Sequence, residues 1–410
     1  MEQTYFRKGF GLKGEIQGAL TDDYHSAVVD ELRACGYQIT VDDLTVRLAQ
    51  EFGFCYGVDR AVEYAYETRT KFPDRRIFLV GEIIHNPHVN QKLATMGIVI
   101  IARSAAGEFD FSDVSADDVV ILPAFGVTRE DFERLRGVGC VLVDTTCGSV
   151  LNVWKRVESY ASDGFTAIIH GKYHHEETKA TASQVTQHPG GRYLVVRDMA
   201  EARLVCDFIE HGTDGAELRE RFRAASSPGF DPAEDLLRVG IANQTTMLST
   251  ESLAIAAELR RAMTGRYGQE ALAEHFRSFD TICSATQDRQ DAVLKLLKDS
   301  VDVVVVIGGY NSSNTNHLAA MCAERLTTYH VEDAACIDPP TGTIRHKPAG
   351  GREEVVVRNW LPSGKCIIGV TAGASTPNNK VGEAVERVFA TRGVSLAAVF
   401  GQAPRSVKVV

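Results

Sequence analysis

Two stretches of the chain, VDTTCGSVLNVW (143–154) and FDTICSATQDRQ (279–290), follow one pattern: the end of an apolar segment, Asp-Thr-x-Cys, then a helix-like run, which is polar in the second stretch. Each places a cysteine, Cys147 or Cys283, where a strand gives way to a helix. A third cysteine, Cys55, stands in a Gly-rich turn between a β-rich run and a helical run. Because a recurring pattern indicates repeated architecture, the three cysteines mark three related repeats.

Each cysteine opens a series of three strand-to-helix loops. The second loop follows after 30, 28 and 28 residues (55 to 85, 147 to 175, 283 to 311), and the third loops hold residues 125, 245 and 375. Alternating strands and helices are typical of α/β folds with parallel sheets, whose ligands bind at the carboxyl ends of the strands. We therefore expect three α/β units with small, mostly parallel sheets about a pseudo-threefold, trefoil-like axis around a central site.

The repeats also predict the limits of the domains. We expect an N-terminal extension at 1–45, a first unit at 46–140 and a second unit at 141–278, with an insertion near 210–236. A third unit follows at 279–395, and a C-terminal tail at 396–410.

The composition is that of a soluble globular protein. The 410 residues are 44% hydrophobic and 24% charged, which excludes a largely disordered chain. A net charge of −10 argues against a nucleic-acid binder. Apolar runs such as VDVVVVIGG (301–309) are shorter than the ~20 residues of a membrane span. The N-terminus has no apolar core typical of a signal peptide, so we expect a cytoplasmic protein.

The nine cysteines divide into two groups. Without an export signal, a disulfide framework is not expected, and most cysteines fit small buried residues. Cys55, Cys147 and Cys283 differ because a helix N-terminus favours the thiolate, the form that binds soft metals. Their gaps of 92 and 136 residues (55 to 147, 147 to 283) do not fit a zinc knuckle. An iron–sulfur cluster with one iron lacking a cysteine fits better; three inert core cysteines are the alternative.

The other loops provide acid–base and anion-binding groups. His175 and Glu177 lie in HHEET (174–178), and His85 lies in EIIHNP. NSSNTN (311–316) and TAGAST (371–376) offer short hydroxyl and amide donors at helix starts, which suit phosphate oxygens. Simple helix capping is the alternative. The residues alone thus predict a cytoplasmic iron–sulfur enzyme with a small anionic, phosphorylated substrate.

Eight segments, taken in order, carry a family resemblance: GFCYGVDRAV, EIIHNP, DTTC, IIHGKYHHEET, NQTTML, DTICSATQDRQDAV, NSSN and GVTAGASTP. They closely resemble the 4-hydroxy-3-methylbut-2-enyl diphosphate reductases, which perform the last step of the methylerythritol phosphate route to isoprenoids. The resemblance runs from about residue 45 to 392. FRKGFG (6–11) and LPAFG (122–126) look like the longer plant and cyanobacterial branch.

The resemblance implies a reductive dehydroxylation that yields isopentenyl and dimethylallyl diphosphates. It implies that Cys55, Cys147 and Cys283 hold a [4Fe–4S] cluster with one open iron, and that Glu177 relays a proton with the help of Thr245. It also implies a set of substrate-binding residues: His85, His175, Thr245, Ser312, Ser313, Asn314 and Ser375. A ferredoxin or flavodoxin would deliver the electrons to a monomer or homodimer.

The chain departs from the family pattern at two points. Compact bacterial members have His-Gly where this chain has Phe125-Gly126, so a diphosphate contact is lost or replaced, with Asn86 or His88 as candidates. Gly148 follows the second cysteine where many members have proline.

Two other functions remain open from the sequence. An iron–sulfur hydro-lyase would need no external electrons. A cluster-based sensor would carry an output module such as a basic recognition helix, and none is visible.

Overall fold

The computed structural model describes residues 4–105, 107–212, 215–279 and 281–401. Asp280, the first residue of the second Asp-Thr-x-Cys, lies outside the described residues, as does most of the predicted tail. Contacts within the chain define two compact units. The Cys147 unit comprises residues 4–10, 71–83 and 93–283. The Cys55 unit comprises residues 11–70, 84–92 and 284–401.

The described residues form short strands joined mostly by helices. The strands are β1 Tyr5–Phe6, β2 Gln38–Val41, β3 Leu44–Leu48, β4 Ile77–Val80, β5 Ile98–Ile101, β6 Val119–Leu122, β7 Val141–Asp144, β8 Thr166–His170, β9 Tyr193–Val196, β10 Val239–Asn243, β11 Phe276–Ser278, β12 Val303–Ile307, β13 Thr327–Val331, β14 Ile337–Asp338, β15 Thr343–His346, β16 Val355–Arg358 and β17 Cys366–Ala372.

The helices are α1 Lys13–Tyr24, α2 Ala27–Ala34, α3 Tyr56–Lys71, α4 Pro87–Thr95, α5 Arg129–Val138, α6 Gly148–Ser162, α7 Glu176–Thr186, α8 Met199–His211, α9 Gly215–Arg221, α10 Pro232–Asp235, α11 Ser249–His275, α12 Ser284–Leu296, α13 Ser313–Ala323, α14 Asn378–Ala390 and α15 Leu396–Gly401, with a 3₁₀ turn at Ala334–Cys336.

The Cys147 unit contains two parallel sheets. One has the strand order β1-β7-β6-β4-β5 and the other β11-β10-β8-β9. β6 and β8 are buried along their whole length, as expected for parallel strands that are covered on both faces. Because neighbouring parallel strands end on the same side, the loops after β6 and β7 lie at one edge of the first sheet. The loops after β8, β10 and β11 lie at one edge of the second.

The Cys55 unit contains one mixed sheet and a small antiparallel sheet. The mixed sheet has the order β13-β12-β17-β3-β2, in which only the β2–β3 pair is antiparallel among the described strands. Because β12, β17 and β3 are parallel neighbours, the loops after all three meet at one sheet edge. The antiparallel sheet has the order β14-β15-β16.

The predicted fold class, α/β with three small and mostly parallel sheets, is confirmed. The expected grouping of strands is wrong for one strand of each repeat, because the strand before each cysteine pairs in the sheet of another repeat. β3 pairs with β17 of the third repeat, β7 with β6 of the first and β11 with β10 of the second. The sequence pattern could not decide this, because parallel strands join through crossovers and any free sheet edge buries the same apolar side chains.

The N-terminal extension and the insertion contribute to these units. β1 pairs with β7, and α2 packs Val29 and Leu32 into the core of the Cys55 unit. Phe222 and Phe230, from the predicted insertion, are buried in the Cys147 unit beside α8 and α11 residues. Among the described residues, no helix is long and apolar enough to cross a membrane.

Candidate active site

The Cys147 loop is fixed mainly by backbone hydrogen bonds to the loop after β6. The N–H of Thr145 donates to the Leu122 carbonyl (3.2 Å), and the N–H of Cys147 donates to the Ala124 carbonyl (2.8 Å). Cys147 then caps the N-terminus of α6 and stays partly exposed. Its thiol is thus held at the carboxyl end of a strand beside unpaired helix N–H groups, as the sequence predicts.

Cys283 lies next to the first turn of the same helix. The hydroxyl of Ser149 donates to Cys283 Sγ at 3.4 Å, and Ser149 is two residues from Cys147. The preceding Thr281 is buried, and its Oγ1 accepts from the N–H of Asn243 at 3.1 Å. The structure therefore brings two of the three candidate thiols into one neighbourhood of the Cys147 unit. Ser149 was not identified from the sequence, where it reads as an ordinary first-turn residue.

Glu177 and Thr245 are joined across two strand-end loops. Glu177 is 2% exposed, in the first turn of α7, and its Oε1 accepts from the N–H of Thr245. His175 caps the same helix, where its Nδ1 accepts from the N–H of Glu177 at 3.2 Å. Gln244 Oε1 accepts from the N–H of Lys172, which ties the two loops together. A buried carboxyl in this setting can exchange a proton with a bound substrate.

Phe125 lies beside this acid corner, which comprises Glu177, Thr245 and His175. Its ring lies edge-on to the His175 ring, with the centroids 6.5 Å apart. The next residue, Gly126, has φ +77°, and a Cβ there would lie 2.4 Å from the Trp154 ring, so glycine is required.

Asn86 is one of the two candidates to replace the histidine contact of compact bacterial members. Its Oδ1 accepts from the N–H of Val89 at the start of α4.

The Cys55 loop repeats the arrangement of the Cys147 loop. The N–H of Gly53 donates to the Ala372 carbonyl (3.4 Å), and the N–H of Cys55 donates to the Ala374 carbonyl (3.2 Å). Gly53 has φ +73°, and a Cβ there would lie 3.2 Å from the Thr376 carbonyl oxygen. The thiol again stands at the carboxyl end of a strand just before a helix.

Four predicted substrate-binding residues meet at the same sheet edge of the Cys55 unit. Ser375 Oγ lies 3.4 Å from Ser312 Oγ and 3.2 Å from the carbonyl oxygen of His85. Asn314 Oδ1 accepts from the N–H of Ala374 at 2.9 Å. His85 therefore joins the set formed by the loops after β12 and β17.

Two donors in this set have no hydrogen-bond partner within the described part of the chain. Asn314 Nδ2 and Ser313 Oγ are both buried and unsatisfied; the two residues are 2% and 3% exposed. Buried polar groups are ordinarily paired, so both donors are available to a bound anion. Their position at the N-terminus of α13, behind Gly308 and Gly309, suits an anion. A Cβ on Gly309 would lie 2.9 Å from the His85 carbonyl oxygen, so glycine permits this close approach.

Five of the six remaining cysteines differ from the three candidates in burial, whereas Cys35, at the end of α2, is partly exposed as they are. Burial raises the pKa of Cys140 and Cys366 to about 11 and that of Cys206 and Cys322 to about 12, so these thiols stay protonated. Cys336 is buried as well. The expected contrast between inert core cysteines and accessible candidates is therefore present in the structure.

The candidates form no site for a single metal ion. Among the described residues, no group of three or more His, Cys, Asp or Glu side chains is placed to hold one. A cubane cluster has a different requirement, because each cysteine binds a different iron. Three partly exposed thiols at helix starts, none of them in a disulfide, fit that requirement.

Comparisons with known proteins agree with these features. A family model described as "LytB protein" matches residues 46–389. The 4-hydroxy-3-methylbut-2-enyl diphosphate reductase of Thermosynechococcus vestitus is 50% identical over 394 residues, covering 96% of both chains. The protein of that name from Gloeobacter violaceus is 49% identical, covering 97% of this chain and 95% of its own.

Solved structures give the same result. A structure titled as (E)-4-hydroxy-3-methyl-but-2-enyl diphosphate reductase, the terminal enzyme of the non-mevalonate pathway, is 26% identical with a TM-score of 0.51. It covers 85% of this chain and 99% of its own. A Plasmodium falciparum reductase shares the fold at 20% identity, with a TM-score of 0.61 and coverage of 90% and 91%. The chain belongs to the LytB family.

Proposed function

We propose that this chain is a 4-hydroxy-3-methylbut-2-enyl diphosphate reductase that forms isopentenyl and dimethylallyl diphosphates. The observation that carries the proposal is sequence identity: the chain is about 50% identical, over nearly its full length, to reductases of that name. In the reaction, the allylic C–O bond breaks, a C–H bond forms, and the oxygen leaves as water. Two electrons and two protons are consumed.

The Cys55 unit would bind the diphosphate. The unsatisfied Asn314 Nδ2 and Ser313 Oγ are buried donors beside Ser312 and Ser375. Neutral donors at a helix N-terminus can take phosphate oxygens without a fixed counter-ion. His85 contributes its backbone carbonyl to this set and is proposed to contact the substrate through its ring. Binding energy from the diphosphate would position the distant hydroxyl group.

The acid corner would deliver a proton to the leaving hydroxyl. Glu177 is buried and held by the N–H of Thr245, so its carboxyl has a fixed orientation. His175 is joined to the same turn and is proposed to bind oxygens of the substrate near Glu177. Protonation matters because hydroxide is a poor leaving group and a positioned acid lowers the barrier.

Cys55, Cys147 and Cys283 would hold a [4Fe–4S] cluster. When bound, it would supply electrons one at a time and an iron without a protein thiolate as a Lewis acid. A ferredoxin or flavodoxin is the proposed electron donor. The oligomeric state, monomer or homodimer, and the cytoplasmic location stay predictions.

A single-turnover assay tests the reaction. Anaerobically reconstituted protein, reduced by a one-electron donor and given the allylic diphosphate, should form both five-carbon diphosphates. Absence of product would contradict the proposal. Loss of water without reductant, to a product two electrons more oxidised than these diphosphates, would favour the hydro-lyase.

A matched pair of variants tests the proton donor. Glu177→Gln should keep the cluster's absorbance and lose turnover by about 10²- to 10⁴-fold. The neighbouring Glu176→Gln is the control, because Glu176 forms an ion pair with Arg103 and is only partly buried. Equal turnover in the two variants would place the proton donor elsewhere.

A further inference from the structure

Arg289, in the second turn of α12, is a buried cation whose partners are all neutral. It is 4% exposed. Its Nε and Nη2 donate to the carbonyl oxygen of Gly53 at 3.2 and 2.7 Å, and its Nη1 donates to the Ala285 carbonyl at 2.7 Å. In the part of the chain that the structure describes, no carboxylate forms an ion pair with it.

Such a charge is costly on its own. Moving a guanidinium out of water carries a large penalty, which carbonyl dipoles offset only in part. A buried arginine is therefore expected where an anion balances it. The protein residues described around Arg289 do not supply that anion.

The hydrogen bonds of Arg289 point to where the anion would be. Gly53 is two residues before Cys55, and Arg289 grips its carbonyl with two nitrogens across 236 positions of sequence. The same turn has φ +73° at Gly53 and bonds its N–H to Ala372. The guanidinium therefore both fixes the Cys55 turn and brings a positive charge close to it.

We propose that Arg289 is a positioning and charge-balancing residue for the iron–sulfur cluster held at Cys55; this inference rests on the proposed function. Three thiolates outweigh the double positive charge of an oxidised cubane core, and each added electron makes the bound group more negative. Net charge and hydrogen bonding around a cluster set its reduction potential. Arg289 thus favours the reduced cluster and keeps the Cys55 thiolate oriented.

Two substitutions separate charge from shape. R289Q removes the charge and keeps an amide donor. R289K keeps the charge and loses the paired hydrogen bonds from two nitrogens to the Gly53 carbonyl. The reduction potential of each anaerobically reconstituted protein is measured by a titration followed by electron paramagnetic resonance. Cluster release is timed with an iron chelator, and thermal unfolding is recorded with and without the cluster.

R289Q is expected to lower the potential, whereas R289K should leave it close to that of the unmodified protein. Both variants should release the cluster about 10- to 100-fold faster, as for other outer-sphere partners of metal ligands. Without the cluster, R289Q should lose little stability, because removal of the unbalanced charge offsets the weaker hydrogen bonding to the Gly53 carbonyl. With the cluster, the loss should be larger.

Three results would overturn the inference. An unchanged potential in R289Q would show that the charge does not act on the cluster. An equal loss of stability in R289Q with and without the cluster, or its failure to fold without the cluster, would leave Arg289 a structural role alone. If the unmodified protein takes up no cluster, the proposed function itself is wrong, which separates the two failures.

Discussion

The Cys55 and Cys147 loops have the same backbone geometry but are held by different side chains. In both, the N–H two residues before the cysteine donates to the last carbonyl of a neighbouring parallel strand, and the cysteine N–H donates two residues further on. Around Cys147, the hydroxyl of Thr145 also donates to the Leu122 carbonyl at 2.7 Å. Around Cys55 the additional hydrogen bond is a different one: the buried Arg289 donates to the carbonyl oxygen of Gly53.

This difference shows that the repeat is conserved in backbone placement rather than in residue type. Asp-Thr-Thr-Cys closes its loop locally, since Asp144 Oδ1 accepts from the N–H and hydroxyl of Thr146. Gly-Phe-Cys has no such hydroxyl and depends on a side chain from a distant helix. We therefore expect the two loops to be equivalent in function and unequal in how they are stabilised.

The largest effect is expected for the cysteines themselves. Cys55→Ser and Cys147→Ser should each remove the cluster's visible absorbance and abolish turnover, because each thiolate would bind one iron. Buried Cys206→Ala and Cys366→Ala serve as controls and should keep both. An active, brown Cys55→Ser protein would break the equivalence of the two loops.

Each unit also contains a buried neutral histidine that makes its stability depend on pH. Burial lowers the pKa of His170 and of His330 to about 4, from an ordinary value of 6.5. The unfolded chain therefore binds more protons between these values, so stability is full above pH ~6.5 and falls as pH drops toward 4. The loss is on the order of 2–3 kcal/mol for each histidine. Thermal unfolding between pH 7 and 5 measures it.

His330→Asn should weaken this pH dependence without removing it, because His170 remains in the other unit. The asparagine amide can still donate toward the Gly308 carbonyl, which His330 Nε2 contacts at 2.9 Å. A variant with the same pH slope as the unmodified protein would contradict the assignment of a neutral buried ring.

The two cysteine loops should respond oppositely to the same glycine substitution. Gly53→Ala should destabilise the protein by about 1–3 kcal/mol, because a side chain is strained at φ +73° and crowds the Thr376 carbonyl. Gly148→Ala is the control: a Cβ there meets nothing within 4 Å, and alanine favours the helix by about 0.5–1 kcal/mol. Denaturant unfolding of both variants measures the difference. Similar losses would show that the Cys55 turn is not specially constrained.

The smallest effect is expected at Thr145. Thr145→Val removes the hydroxyl that bonds to the buried Leu122 carbonyl, which should cost about 1 kcal/mol of unfolding free energy. Thr186→Val, on the exposed face of α7, should change stability by less than about 0.5 kcal/mol. If the two variants unfold alike, the Asp-Thr-Thr-Cys loop does not rely on this hydroxyl.

Much of the candidate site could be predicted from the sequence because its residues lie in local patterns. The position of Cys147 before a helix and the donors of NSSN follow from a strand, a turn and a helix start close together in the chain. Glu177 also lies at such a start, as predicted. Its bond to Thr245, 68 residues away, could only be expected from the repeat and the family resemblance.

The sequence determined the α/β order, the three cysteine positions and the family, because these depend on local periodicity and on motifs of adjacent residues. The tertiary structure decided which sheet each cysteine-bearing strand completes. It also decided that Ser149 meets Cys283 and that Arg289 grips the Cys55 turn. The physical reason is that these contacts use sheet edges and backbone carbonyls. Every residue offers a carbonyl, so only the path of the folded chain selects the partner.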